Sequence, residues 1–220
     1  MRKNKLIYLI LLLLFFACRE VETIELKGPE YYAIEVGKYM TYSVNEIKHD
    51  AFEGTSDTIQ YFIKETVVEQ IQDSLLEHKY ILKIERSEDG ISNWEYVKLV
   101  SIYKDDAQIQ RYEDDIRKVK LTFPLLLRKY WDCNSYNTQE EQRVRILTLD
   151  EAFTSSDSTF AQTATIELAD NEDPFFTNIE YEVYAKNLGL IKRTFVDLER
   201  QPGKYLKGTE YVQTYKSSNW

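Results

Sequence analysis

Four stretches of the chain alternate apolar and polar residues with a period of two, and that periodicity admits one kind of backbone. Tyr80, Leu82 and Ile84 alternate with Ile81, Lys83 and Glu85. Val119, Leu121 and Phe123 alternate with Lys118, Lys120 and Thr122. Ala164, Ile166 and Leu168 alternate with Thr163, Thr165 and Glu167, and Ile179, Tyr181, Val183 and Ala185 with Glu180, Glu182, Tyr184 and Lys186. On a helix such a pattern would scatter apolar side chains around the axis; on a strand it gathers them on one face. The expectation is one buried and one wet face per strand. Tyr, Val, Ile, Thr and Phe dominate these runs, as suits a pleated, half-buried surface.

Turn signals separate the runs. Asp50–Gly54, Ser87–Gly90, Asp105-Asp106, Asp114-Asp115, Thr154–Asp157, Asp170–Pro174, Asn187–Gly189 and Gln201–Gly203 all read as connections. About ten strands fit between them. Short connections imply hairpins, so the expected fold is mainly β: a single antiparallel β-rich domain over 33–220, a curled sheet or barrel-like, with at most short helices. The best helical candidate is Pro124-Leu-Leu-Leu-Arg-Lys-Tyr-Trp131, with proline at a first helical position. Tyr130 and Trp131 are expected to plug the core.

The amino terminus reads as an address. Arg2, Lys3 and Lys5 precede an unbroken apolar run from Leu6 to Ala17. That run is too short for a membrane-crossing helix, which needs roughly 20 apolar residues, and it matches a secretory signal peptide over 1–17. Ordinary signal peptidase prefers small residues at −3 and −1; Phe15 at −3 of a cut before Cys18 fits it badly. Phe15-Phe16-Ala17-Cys18 instead resembles a lipobox, which implies lipidation of Cys18 and a lipid-anchored tether over 18–32. The expected location is the cell envelope, on the outer membrane, with the membrane reached through lipid on Cys18. The removed segment holds three of the 28 basic residues, so the net charge of −9 would become −12. An acidic body repels phosphate backbones, so nucleic acid is not an expected partner. With Cys18 lipidated, Cys133 has no partner, and it reads as a small buried side chain.

Three stretches resemble a family of uncharacterised lipoproteins of Bacteroidota. Val36-Gly-Lys-Tyr-Met-Thr-Tyr-Ser-Val44 is similar to an opening G-x-x-W/Y-x-Y-x-V strand. Leu121-Thr-Phe-Pro-Leu125 leading into Lys129-Tyr-Trp-Asp-Cys-Asn-Ser-Tyr-Asn137 is similar to a P-L…G-K-x-W-x-G-N-x-Y-N stretch. Tyr184-Ala-Lys-Asn-Leu-Gly-Leu-Ile-Lys192 is similar to Y-A-x-x-V-G-L-I-x-K. Arg128 and Cys133 stand where that pattern has glycine. The resemblance implies an envelope location and a mostly β fold, and brings no activity with it.

Little in the chain points to catalysis. His49 and His78 lack partners at zinc-ligand spacing. No G-x-S-x-G, P-loop or G-x-G-x-x-G motif is present, and seven glycines leave no phosphate cradle. The acidic groups Asp105-Asp106, Glu113-Asp114-Asp115 and Asp170/Glu172/Asp173 sit at expected turns, where acids are ordinarily solvated. No cofactor, metal or catalytic residue is expected. Seventeen tyrosines remain suggestive, and Tyr205, Tyr211 and Tyr215 share a face of the last expected strand as a candidate ligand or partner face. The expected function is non-catalytic binding or scaffolding, with an envelope protein, a glycan or a hydrophobic ligand as partner. Two alternatives stay open: a half-barrel carrier of a lipid or hydrophobic ligand, and a glycan-acting enzyme using paired carboxylates.

Overall fold

The computed structural model describes residues 28–72, 78–155, 158–200, 203 and 206–220. The expected signal peptide, Cys18 and Tyr205 lie outside the described residues. Twelve strands run in chain order: β1 (Tyr39–Asp50), β2 (Thr55–Gln72), β3 (His78–Ser87), β4 (Glu95–Lys104), β5 (Gln108–Glu113), β6 (Ile116–Thr122), β7 (Tyr130–Asp132), β8 (Arg143–Ser155), β9 (Ser158–Glu172), β10 (Phe176–Ala185), β11 (Gly189–Glu199) and β12 (Lys207–Ser218). They form one sheet in the order β6-β5-β4-β3-β2-β1-β12-β11-β10-β9-β8-β7. Every pairing is antiparallel, and all but β1 with β12 join strands consecutive in sequence. The sheet curls into a nearly closed barrel whose edges, β6 and β7, meet at a seam. There the Val119 amide donates to the Cys133 carbonyl at 2.9 Å, Trp131 Nε1 donates to the Val119 carbonyl at 3.1 Å, and Asn137 Nδ2 donates to the Arg117 carbonyl at 2.9 Å.

The curled antiparallel fold is as expected, with twelve strands rather than about ten. The stretch Pro124–Trp131 is not helical. Its backbone pairs sideways with β8: the Arg128 amide donates to the Ile146 carbonyl and the Ile146 amide to the Lys129 carbonyl. Lys129 Nζ ties down the carbonyls of Phe123 and Pro124 at 3.1 and 3.0 Å, and the chain enters β7 at once. A sheet edge offers these backbone groups partners that an isolated helical turn would leave unmet. Among the described residues the helical content is one 3₁₀ turn, Pro29–Tyr31. That turn belongs to the stretch expected as a tether. From Gly28 onward the stretch is docked: Tyr31 is buried, and its hydroxyl donates to Asp150 at 2.6 Å. Trp131 packs against the core as expected, whereas Tyr130 is 55% exposed.

The core fills one part of the interior. Leu82 and Ile84 of β3, Val100 and Ile102 of β4, Ile109 of β5 and Leu121 of β6 pack against Val144 and Ile146 of β8 and Ala164 and Ile166 of β9. These are the apolar faces read from the alternation of β3, β6 and β9. In β10 the expected sidedness is reversed. Glu180, Glu182 and Tyr184 are buried on the inner side, while Val183 and Ala185 pack with Ile191 in a second cluster covered by Phe153, Phe160 and Tyr181. Both faces of β10 are covered, and the face carrying the acids points inward.

Candidate functional site: a charged cavity inside the barrel

The reversal in β10 has a structural cause: the interior beside it is open and polar. A cavity of about 580 Å³ lies between the β1–β6 side and the β10–β12 side of the barrel. One wall is apolar, with Ile63, Val67, Leu82 and Ile84. The rings of Tyr32, Tyr42, Tyr61, Tyr184 and Tyr211 border it, together with Gln213. Ionised side chains enter from β2 to β6 and from β10 and β11. Register places Glu65 of β2 on the inner face with Ile63 and Val67, and Arg193 of β11 opposite Glu182 of β10. In β6 a bulge at Lys120, where Ile109 and Gln110 oppose Leu121 and Val119, turns both Lys118 and Lys120 to the cavity.

The charges form two linked groups. In the first, Lys120 Nζ donates to Glu182, Tyr184 Oη donates to the same carboxylate at 2.6 Å, and Arg193 donates to Glu180 at 2.9 Å. Arg193 Nε lies 3.7 Å from Glu182, beyond hydrogen-bond reach. In the second, Arg111 donates to Glu65 at 2.9 Å and to Glu113 at 2.7 Å, and Lys98 reaches Glu113 at 2.8 Å. Burial opposes the charge on Glu182, but Lys120 and Arg193 outweigh it and hold the carboxyl below the ordinary carboxylate range. Glu113 is likewise held down, to about 2, by Arg111 and Lys98 against burial. Burial, with Glu65 nearby, pushes the Tyr42 hydroxyl up, and burial followed by Glu182 does the same for Tyr184. Near neutral pH the cavity therefore presents fixed ions and neutral phenols.

The acids read from sequence divide between this cavity and the turns. Glu113 enters the cavity wall, and Asp114, in the β5–β6 turn against Lys98, borders its rim. Asp105 caps the amides of Ala107 and Gln108, and Asp173 those of Phe175 and Phe176. Of the candidate tyrosine face, Tyr211 lines the cavity and donates to Gln213 at 2.8 Å. Tyr215 packs edge-on against Phe160, 5.6 Å between ring centres, beside the second apolar cluster. Cys133 is buried, its thiol pushed up by burial and donating to Gln142 at 3.3 Å. His49 bridges Ser56 and Glu210 at the β1–β12 ladder, and His78 meets Gln70. No group of His, Cys, Asp or Glu among the described residues gathers as a metal site.

Sequence reading did not single out Arg111, Lys120, Glu182 and Arg193. One signal was present: Glu180, Glu182 and Tyr184 share the polar face of a strand whose other face is apolar, and a tyrosine on a supposedly wet face hints at cover.

No protein-family model matches the chain, and no curated protein matches it. Among solved structures, a 2.70 Å crystal structure of a protein from Parabacteroides distasonis ATCC 8503, provisionally named a lipoprotein, is similar at a TM-score of 0.44 and 9% identity. The match covers 86% of this chain and 98% of that one. A likeness that distant carries no argument about this chain.

Proposed function

We propose that this chain is an outer-membrane lipoprotein of the cell envelope, held by lipid on Cys18, whose barrel binds a small molecule inside. It acts by binding, without catalysis. The cavity of about 580 Å³ carries this reading, because its size matches ligand pockets and polar groups converge on it beside an apolar wall. Interiors are ordinarily packed to crystal-like density, so this much preformed space beside buried ions favours an occupant. The ionised state of Glu113 and Glu182 supports binding over glycan hydrolysis, which requires one carboxyl to keep its proton. The same ions weigh against a purely apolar lipid, since desolvating them without compensation is costly.

Two measurements test the two halves. Metabolic labelling with a fatty acid should tag the wild type, and a tag that persists in Cys18→Ser removes the anchor. Calorimetric titration of the detergent-solubilised full chain with neutral and charged naphthalene derivatives should show saturable heat. That heat should fall in Leu82→Trp, whose indole intrudes on the apolar end of the cavity. No heat with any of them would sink the binding reading.

A further inference from the structure

The cavity carries a charge opposite to that of the chain. Seven cations line it (Lys38, Arg86, Lys98, Arg111, Lys118, Lys120 and Arg193) against four acids, Glu65, Glu113, Asp114 and Glu182. Glu180 and Glu88, which pair with Arg193 and Arg86, lower the excess to one. The chain as a whole has a net charge of −9. Inside a low-dielectric wall such an excess focuses the field on whatever enters.

The accessible atoms sharpen this asymmetry. The Glu182 side chain is only 2% accessible, whereas that of Arg193, which reaches it, is 38% accessible. In that pair the carboxylate sits deep and the cation faces the open space. Donors there also remain unspent. Arg193 Nε is buried without a hydrogen-bond partner. Lys118 has no ion-pair partner among the described residues, and Lys120 shows one hydrogen bond for three N–H groups. A buried donor without an acceptor is costly, and an anion supplies the strongest acceptor available.

We infer that Lys118, Lys120 and Arg193 form the seat for the anionic group of the ligand, which is a small amphipathic anion with a carboxylate or phosphate at one end. The apolar wall of Ile63, Leu82 and Ile84 takes the other end. The inference rests on the cavity-binding reading and adds the charge of the occupant to it.

The test compares three probes of one shape on the detergent-solubilised full chain: 2-naphthoate, 2-naphthyl phosphate and the neutral 2-naphthamide. The expected result is that at least one anion binds about tenfold or more tighter than the amide. Its affinity should fall with added salt while that of the amide holds. Naphthoate or naphthyl phosphate as the tighter probe separates a carboxylate seat from a phosphate seat. Lys118→Gln and the charge-balanced pair Arg193→Gln with Glu180→Gln should each erase most of the preference and leave amide binding intact. Equal, salt-independent binding of amide and anions by the wild type overturns the seat and leaves the cavity reading standing; that comparison needs no variant to fold. Absence of binding by all three overturns both.

Discussion

Lys120 on β6 and Glu182 on β10 meet across the interior of the barrel, although their strands share no ladder. Their contact ties one sheet edge to the opposite wall, on the far side of the seam. Such a pair carries its own desolvation penalty, so its presence is weak evidence of net stability. Breaking it from one side is a different matter. Lys120→Met leaves Glu182 buried with only Arg193 and Tyr184 and should cost about 3 to 5 kcal/mol. The pair of changes Lys120→Met with Glu182→Leu should recover much of that. Urea unfolding decides it: a single variant as stable as the double would show that the pair does not couple.

Acid should weaken the fold through Glu113. Its carboxyl titrates near 4.5 when free and about 2 in the barrel. The stability it contributes is therefore fully present above pH 4.5 and is lost as the pH falls toward 2. Glu113→Gln should flatten the stability–pH curve across that window, measured by denaturant midpoints. A slope unchanged by the substitution would remove Glu113 as its source.

Arg128 occupies the left-handed region, at φ 65°. A side chain there costs about 1 kcal/mol, partly offset because glycine adds entropy to the unfolded chain. Arg128→Gly should raise stability by about 0.5 kcal/mol, seen as a later thermal midpoint. A lower midpoint would mean that the arginine side chain stabilises the turn by more than its backbone costs.

The seam depends on few bonds, so each is exposed to test. Trp131→Phe keeps an aromatic ring and removes the donor to the Val119 carbonyl. The expected loss is about 1 kcal/mol, with faster hydrogen exchange at the Val119 amide, which bonds across the same seam. Unchanged exchange there would show that the seam holds without the indole.

Cys133 should be inert in the native protein. Burial both hides the thiol and disfavours its thiolate, the reactive form. Alkylation at pH 8 should require denaturant, and rapid native labelling would contradict the buried position.

The barrel was legible in the sequence wherever one face of a strand is apolar and the other meets water. β3 and β9 obey that rule, and their buried faces follow directly from Leu82 and Ile166; β6 obeys it for Val119 and Leu121, but its bulge also carries Lys118 and Lys120 to the cavity. β10 does not, because periodicity reports polarity and not direction. Its acids point inward since Lys120, 62 positions away, and Arg193, opposite Glu182 on the neighbouring strand, are there to neutralise them. The site escaped the same reading for the same reason. Each of its ions looks like a solvated charge in its own strand, and only the closed sheet brings Arg111 to Glu65 across 46 positions. Pro124–Trp131 misled differently: local propensity favoured a helix, and the edge of β8 offered its backbone better partners.

Ten of the eleven ladders join consecutive strands and can zip as local hairpins. The eleventh pairs Met40 with Ser218. Contacts so distant along a chain pay loop-closure entropy before they return anything, and they slow folding. During synthesis β1 is made early and its closing partner near the end. Until β12 arrives, β1 offers a free strand edge to any neighbouring chain, the kind of template on which proteins aggregate. The order of manufacture thus leaves that edge open until the last pairing forms.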